Sequence, residues 1–234
     1  MNTHSSKWLL VAATSGEAKG LAEALGIPCP AEGEIERLIW NGLEISLLCT
    51  GIGMVNTAFH LGRVLAREDF DVALQFGIAG AFEGGPEVGE VVEVGEEIFS
   101  EMGADSPKGF LDLETMGFEN FRREGEVYYN VVARPYAELG GWKSCRGITV
   151  NRVHGTTTEI EAVREKWSPE VESMEGAAFF RACLSTEMRF HQLRGISNRV
   201  EPRNRAAWKI PEAIKAVQEA VLQVLEANRP KTIE

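Results

Sequence analysis

Short, uninterrupted runs of apolar residues alternate along the chain with segments in which apolar residues recur every three or four positions. The first pattern predicts buried strands and the second predicts amphipathic helices. Strands are expected at residues 7–13, 35–40, 43–50, 71–76, 88–99, 127–133, 148–152 and 190–197. Asn41-Gly42, between the second and third of these strands, predicts a hairpin. Helices are expected at residues 54–66, 159–167 and 176–186, with one more that ends near Leu25 and a last one that starts at Pro211.

Strands that are apolar throughout and alternate with helices are typical of a sheet that is covered on both faces. We therefore expect an α/β fold with a mixed, mostly parallel central sheet flanked by helices. No linker or internal repeat divides the chain, so a single domain is expected over residues 1–234. Residues 101–126 are either a mobile lid or a structural excursion over the core, and residues 228–234 are expected to form a frayed tail.

Ligands of such folds bind at the carboxyl ends of the strands, and three segments rich in small or polar residues fall there. They are residues 13–17, 77–80 and 197–198. In the second segment, Ile78, Ala79 and Gly80 would let backbone amides approach a flat ligand closely. Residues 51–53 are a fragment of a dinucleotide-binding fingerprint that lacks its third glycine, so a tight turn explains them better.

One carboxylate, that of Glu175, falls where a buried strand gives way to an alanine-rich helix. Packing explains it poorly, because Met174 precedes it and only small residues follow. The helix dipole favours the ionised form at this position, and an ionised carboxylate accepts hydrogen bonds from hydroxyl groups. Two adjacent ribose hydroxyls are the natural donors, and an ordinary acidic residue of a first helical turn is the alternative.

The composition narrows the classes of function. Of the 234 residues, 44% are hydrophobic and 25% are charged, and the net charge is −11. This charge argues against broad contact with nucleic acid or an anionic membrane. The four cysteines are scattered and the four histidines lack a metal-binding spacing, so we expect neither disulfides nor a metal site. Without a visible signal peptide or membrane anchor, a cytoplasmic protein is expected.

Four motifs occur in the order and spacing of the nucleoside phosphorylase/nucleosidase superfamily. They are residues 51–53, 77–80, 174–178 and 197–198. The resemblance covers most of the chain, and residues 101–126 fit it least well. Within that superfamily, residues 197–211 resemble the signature of the futalosine hydrolase family. The resemblance implies that the protein cleaves an N-glycosidic bond.

The resemblance also implies roles for single side chains. Met174 would pack against the ribose, Glu175 would accept from its 2′- and 3′-hydroxyl groups, and Glu17 would orient and deprotonate the attacking water. A general base of this kind contributes roughly 10²–10⁴-fold to the rate. From its position alone, a solvated acid at a helix start explains Glu17 better.

Position 198 departs from the adenine-specific members of the superfamily, which carry an aspartic acid there as a proton source for purine N7. The amide of Asn198, next to Ser197, cannot serve as that acid, but it can both donate and accept hydrogen bonds. A 6-oxopurine fits such a group and carries the departing negative charge better than adenine does. Hypoxanthine is therefore the expected base, and a structural role for Asn198 at a strand end is the alternative.

The choice between water and phosphate depends on positive charge near the ribose. Residues 14–17 present a carboxylate and no arginine, which disfavours phosphate and suits water. Arg199 and Arg203, with Arg205 and Lys209 nearby, are candidates to hold the benzoate carboxylate of a futalosine-like substrate. Such charges are also ordinary at a protein surface.

Taken with the resemblance, these observations lead us to expect a nucleosidase that hydrolyses futalosine to hypoxanthine and dehypoxanthine futalosine. This reaction is a step in menaquinone biosynthesis, and we expect it to need neither metal nor cofactor. Its partner would be the small nucleoside, not nucleic acid or membrane, and the resemblance implies a homodimer or higher homo-oligomer. Three alternatives stay open: an adenine-releasing nucleosidase acting on methylthioadenosine or aminodeoxyfutalosine, a purine nucleoside phosphorylase, and a non-catalytic nucleoside-binding protein on the same fold.

Overall fold

The computed structural model describes residues 6–118, 122–123, 126–127 and 130–230. The helices are α1 (Ser15–Leu25), α2 (Met54–Leu65), α3 (Thr157–Trp167), α4 (Gly176–Ser185) and α5 (Ile210–Ala227), with a short 3₁₀ turn at Arg205–Ala207. The strands are β1 (Lys7–Ala12), β2 (Ile35–Trp40), β3 (Leu43–Cys49), β4 (Val72–Ala81), β5 (Val91–Phe99), β6 (Gly103–Ser106), β7 (Gly109–Asp112), β8 (Arg122–Arg123), β9 (Glu126–Val127), β10 (Val131–Ala133), β11 (Lys143–Thr149), β12 (Val171–Ser173) and β13 (Arg189–Arg199). None of the helices in these ranges is long and apolar enough to cross a membrane.

Nine strands form one sheet, in the order β10-β5-β11-β12-β4-β1-β3-β2, with β13 paired to both β4 and β5. Because β13 joins these two strands, β4, β13, β5, β11 and β12 form a closed ring, and β1, β3 and β2 extend the sheet outward from β4. Of the nine pairings that the described strands make in this sheet, five are parallel and four are antiparallel. The single-domain α/β fold with a mixed, mostly parallel sheet is confirmed.

Helices cover the sheet on both faces. Successive residues of a strand point to opposite sides, so they pack against different helices. Leu10 of β1 belongs to an apolar cluster with residues of α1 and α5, whereas its neighbours Leu9 and Val11 belong to a second cluster with residues of α2 and α4. The apolar face of α5 is buried and consists of Val217, Ala220, Val221, Val224 and Leu225.

The predicted hairpin between β2 and β3 is present. Asn41 and Gly42 have φ angles of 49° and 87°. Positive values at both central residues are those of the type I′ turn, whose twist matches that of the flanking strands. The Asn-Gly pair therefore determined both the existence and the register of this hairpin.

Two strands that carry site residues extend further than predicted. β4 continues to Ala81 through residues 77–80, which we expected to follow the strand, and β13 continues through residues 197–198 to Arg199. Each is held by the other, because they pair in parallel over most of their length. A shift of register between Ile196 and Asn198 marks a β-bulge, which redirects side chains at the end of β13.

β11 lies earlier in the chain than predicted. This strand covers Lys143–Thr149 instead of 148–152, since its first half alternates exposed and buried residues and shows no apolar run. Residues 101–126 are partly regular, because β6 and β7 form a hairpin. Lys166 of α3 ties this hairpin down, with its ammonium group 2.6 Å from a carboxylate oxygen of Asp112. For the hairpin, this contact favours a structural excursion over a mobile lid. Residues 119–121, 124–125 and 231–234 lie outside the described part of the chain.

Candidate active site

A cavity of about 380 Å³ opens where the carboxyl ends of β1, β4 and β13 meet. The structure brings all ten predicted site residues to its wall: Glu17, Ile78, Ala79, Gly80, Met174, Glu175, Ser197, Asn198, Arg199 and Arg203. Segments that are far apart in sequence thus form one concave surface, at the edge of the sheet where ligands of α/β folds bind.

The carboxylate of Glu17 bridges the ends of two strands. Oε2 accepts hydrogen bonds from the backbone N–H and the hydroxyl of Thr14, at 3.1 and 3.0 Å, and the Thr14 hydroxyl accepts from the Glu17 N–H in return. This reciprocal arrangement is a capping box. Oε1 accepts from the backbone N–H of Ile78 at 3.1 Å. Glu17 is only 6% exposed, so it is a fixed group of the cavity wall and not a solvated acid.

Gly77 is required by this arrangement. A Cβ at position 77 would lie 2.6 Å from Oε1 of Glu17 and 2.7 Å from Nη1 of Arg194. The first glycine of residues 77–80 therefore makes room for two charged side chains. Gly80 lies beside Asn198, since a Cβ there would lie 3.1 Å from Nδ2 of the amide.

Glu175 lies between β12 and α4, as predicted, but its carboxylate does not cap α4. Instead, Oε1 accepts from the backbone N–H of Gly53, just before α2, at 2.9 Å. Nη1 of Arg194 lies 3.7 Å from Oε2. Burial raises the pKa of Glu175 above its usual range, against the opposing effects of the Arg194 charge and the Gly53 amide. Burial thus outweighs the helix dipole, which alone would predict a lower pKa.

Arg194 is the centre of a buried charge cluster that the sequence reasoning missed. The residue is 1% exposed, and Nη2 donates to Oε1 of Gln75 at 3.1 Å. The carboxylate of Glu97 lies behind it and accepts from the Thr149 hydroxyl at 2.8 Å. Burial raises the pKa of Glu97 to about 7, against the lowering effect of Arg194. A Cβ on Gly176 would lie 1.8 Å from Oε1 of Glu97, which explains why a glycine follows Glu175.

The amide of Asn198 is positioned by its chain neighbours. Oδ1 accepts from the Ser197 hydroxyl at 2.7 Å, and Nδ2 donates to the carbonyl of Arg199 at 2.8 Å. Each of these groups retains capacity for a further hydrogen bond, because a carbonyl oxygen has two lone pairs and an NH₂ group has two donors. The amide can therefore bind a ligand while it is held in place.

The two arginines of the cavity wall differ in availability. The guanidinium of Arg199 donates to the carbonyl of Pro86 at 2.8 Å and pairs with Glu87. That of Arg203 stacks over the ring of Trp208, 5.7 Å from its centroid, and makes no ion pair with a described residue. Arg203 is therefore the freer of the two cations.

Further residues of the cavity wall were not predicted: Thr14, Ile52, Val153, His154, Glu172, Trp208 and Ile214. Both carboxylate oxygens of Glu172 go to His154. Oε1 accepts from its backbone N–H at 3.1 Å, and Oε2 contacts the ring nitrogen Nδ1. Glu172 lies in the same strand-to-helix segment as Glu175, so the sequence could have indicated it as a site residue. Nothing in the local pattern distinguishes His154.

A family model describing the phosphorylase superfamily matches residues 7–227. The chain belongs to this superfamily. It is similar to a curated futalosine hydrolase of Thermus thermophilus, with 36% identity over 95% of this chain and 99% of that one. A futalosine hydrolase of Streptomyces coelicolor is 31% identical over 79% of this chain and 81% of its own length. The resemblance noted in the sequence is thereby confirmed.

Solved structures show the same superfamily fold. The methylthioadenosine/S-adenosylhomocysteine nucleosidase of Colwellia psychrerythraea, in complex with adenine, has a TM-score of 0.78 at 19% identity and covers 99% of both chains. The futalosine hydrolase of Helicobacter pylori has a TM-score of 0.78 at 12% identity over 95% of this chain and 98% of that one. At these identities the structures bear on the fold alone.

The polar groups of the cavity suit a nucleoside in their chemistry. Carboxylates can accept from sugar hydroxyls, and an amide and an imidazole can bind the edge of a base. Among the residues that the structure describes, no group of three or more His, Cys, Asp or Glu side chains is placed to hold a metal ion.

The buried carboxyl of Glu97 predicts how stability depends on pH. Its pKa rises from 4.5 to about 7 on folding, so between these values the folded state keeps a proton that the unfolded state has lost. The free energy of unfolding should therefore fall by roughly 3 kcal/mol from this group as the pH rises from 4.5 to 7, and change little above that. Glu97→Gln should remove this fall, measured by urea unfolding across the pH range.

Glu96→Gln is the matched control, because the neighbouring Glu96 is partly exposed and pairs with Arg146. This variant should keep the wild-type pH dependence. Parallel curves for the wild type and Glu97→Gln would show that the pKa of Glu97 is not raised by folding.

Proposed function

We propose that the protein hydrolyses the N-glycosidic bond of futalosine and releases hypoxanthine and dehypoxanthine futalosine. The observation that carries this proposal is the meeting of Glu17, Glu175 and Asn198 in one cavity, in a chain similar to futalosine hydrolases over most of its length. The enzyme class, an N-glycosyl hydrolase, follows from the same relatives and from the superfamily.

At the sugar, cleavage develops positive charge on the ribose, and catalysis requires negative charge and positioned acceptors beside it. We assign this role to Glu175, whose Oε2 accepts from the 2′- and 3′-hydroxyls. The Gly53 amide and the Arg194 guanidinium hold the carboxylate in place and favour its ionised form. Met174, on the same wall, packs against the sugar ring.

The nucleophile is water, deprotonated by Glu17. Thr14 and Ile78 fix both oxygens of this carboxylate at the mouth of β1, and Oε1, which accepts only from the Ile78 N–H, keeps a lone pair for the water. A phosphate would meet this negative charge directly. The arginines that line the cavity lie at the end of β13 and beyond it, and Arg199 is already paired with Glu87. This arrangement supports hydrolysis over phosphorolysis.

The base contacts Asn198, with Ile78, Ala79 and Gly80 providing the flat surface beneath it and Ser197 orienting the amide. An amide can donate to O6 of hypoxanthine, and this pairing supports a 6-oxopurine over adenine. The benzoate carboxylate of futalosine would then be held by Arg203, the freer cation, beside the ring of Trp208. Arg199 serves mainly to hold the end of β13 against Pro86 and Glu87.

The direct test is an assay of free base released from futalosine, inosine and methylthioadenosine, each with and without phosphate. Hypoxanthine should appear from futalosine at the same rate in both conditions, and more slowly from inosine, which lacks the carboxylate that Arg203 would bind. Glu17→Gln should lower the turnover of futalosine by roughly 10²–10⁴-fold, because the general base is lost.

Glu23→Gln, in the same helix but exposed on its surface, is the control and should keep wild-type turnover. A strict need for phosphate would make the protein a phosphorylase. Preferred release of adenine from methylthioadenosine would favour the adenine-releasing alternative, and tight binding without any release would favour a nucleoside-binding protein.

We further propose a cytoplasmic homodimer in which two copies meet through α2. This helix presents Val55 and Phe59, which are 77% and 59% exposed, and Ile52 before it is 57% exposed. Exposed apolar residues grouped in this way mark interaction surfaces. Ile52 also lines the cavity, so a second copy seated there would border the site.

Light scattering on the purified chain tests the dimer. We expect twice the mass of one chain at micromolar concentration, and a shift to the single-chain mass for Val55→Glu with Phe59→Glu, because two buried charges would oppose association. A single-chain mass for the wild type would contradict the proposal.

A further inference from the structure

His154 and Glu172 form a pair in the cavity wall that has no role in the reaction as proposed so far. Both residues line the cavity, and their side chains are only 14% and 3% exposed. A buried carboxylate and a buried imidazole each lose hydration, so each needs a partner in the protein. Here they partner one another in the wall of a ligand cavity, unlike an exposed ion pair at the surface.

The strand register places this pair opposite Asn198. Gly80 of β4 pairs with Glu172 of β12 on one side and with Asn198 of β13 on the other. Residues paired directly across neighbouring strands point to the same face. With strands about 4.8 Å apart, the two residues face the cavity from positions about 10 Å from each other, and Gly80 leaves the space between them open.

The contacts of Glu172 determine which nitrogen of His154 is available. Nδ1 faces a carboxylate oxygen, which only accepts, so Nδ1 carries a proton in either charge state. Nε2 makes no hydrogen bond with any residue that the structure describes. In the charged imidazolium, Nε2 also carries a proton, and it can donate that proton to a ligand in the cavity.

The surroundings favour the charged form of the imidazole. Burial by itself lowers the pKa of His154, but the hydrogen bond and charge of Glu172, with the charges of Glu101 and Glu159, raise it above its ordinary value. Of the neighbouring cations, Arg152 pairs with Glu159, and the guanidinium of Arg203 lies over the ring of Trp208.

We propose that His154, held by Glu172, binds the leaving purine from the side opposite Asn198 and donates to it the proton that the base gains during cleavage. This inference rests on the proposed nucleosidase function and adds the group that it lacks. An amide at position 198 cannot supply a proton, and an imidazolium across the base can.

The proton and electron balance is complete. Water forms the new O–C1′ bond and gives one proton to Glu17. The C1′–N9 bond breaks, and its electron pair leaves with the purine, which takes the Nε2 proton of His154. After release of the products, Glu17 loses its proton to solvent and His154 regains one. Glu172 acts as a positioning residue throughout.

The test compares two leaving groups in the same enzyme: the purine of futalosine, which needs a proton, and the nitrophenolate of 4-nitrophenyl riboside, which leaves without one. His154→Gln should lower the turnover of futalosine by roughly 10²–10⁴-fold, the usual contribution of a general acid, and leave the riboside within a few-fold of wild type. Lys215→Gln, at an exposed position of α5 away from the cavity wall, is the control and should leave both rates unchanged.

The pH profile separates catalysis from structure. Wild-type turnover of futalosine should fall as the pH rises through the raised pKa of His154, and His154→Gln should lack this fall. In Glu172→Gln the fall should move to lower pH, because the amide keeps a hydrogen bond to Nδ1 but removes the charge.

The outcomes are distinct. If His154→Gln lowers both substrates in parallel, the pair is structural and the proposal is wrong. The same holds if the variant lowers neither rate. If wild-type enzyme releases no hypoxanthine from futalosine, the proposed function fails instead, and His154→Gln is then compared on the purine nucleoside that the enzyme does cleave, with the riboside as the reference.

Discussion

The site depends on one buried interaction, the ion pair between the Arg194 guanidinium and the carboxylate of Glu175. Arg194 is fully buried, with Glu175 at 3.7 Å and Glu97 behind it. Burying an unpaired charge costs several kcal/mol, so neither the cation nor the carboxylates could occupy this interior alone. The same cluster dictates small residues around it, because a side chain at Gly77 or Gly176 would collide with a charged group.

From this cluster the remaining features of the cavity follow. Arg194 and Asn198 lie on the same strand, so the element that holds the carboxylate of Glu175 also presents the amide that we propose to bind the base. Glu17 is held at the adjoining mouth of β1, within the electrostatic influence of Glu175. In the proposed reaction, this edge of the sheet fixes the spacing of nucleophile, sugar and base, which is what cleavage of a glycosidic bond requires.

Much of this arrangement was predictable from local patterns. Apolar runs and helical periodicity identified the layers, Asn41-Gly42 identified the hairpin, and the carboxylate at the start of α4 identified the site. The failures have physical causes. Residues 77–80 are small enough to form a loop, but pairing with β12 and β13 on either side keeps them in β4. Arg194 and His154 have no local signal, because their roles arise from contacts between distant segments.

The central claim is that Glu175 is kept as a buried acceptor for the ribose hydroxyls. A double cycle tests it: the rates of wild type and Glu175→Gln are measured on inosine and on 2′-deoxyinosine. We expect removal of the 2′-hydroxyl to slow the wild type strongly and the variant only slightly, because the carboxylate and the hydroxyl act through one contact. Equal slowing of both enzymes would mean that Glu175 does not bind this hydroxyl and would contradict the account.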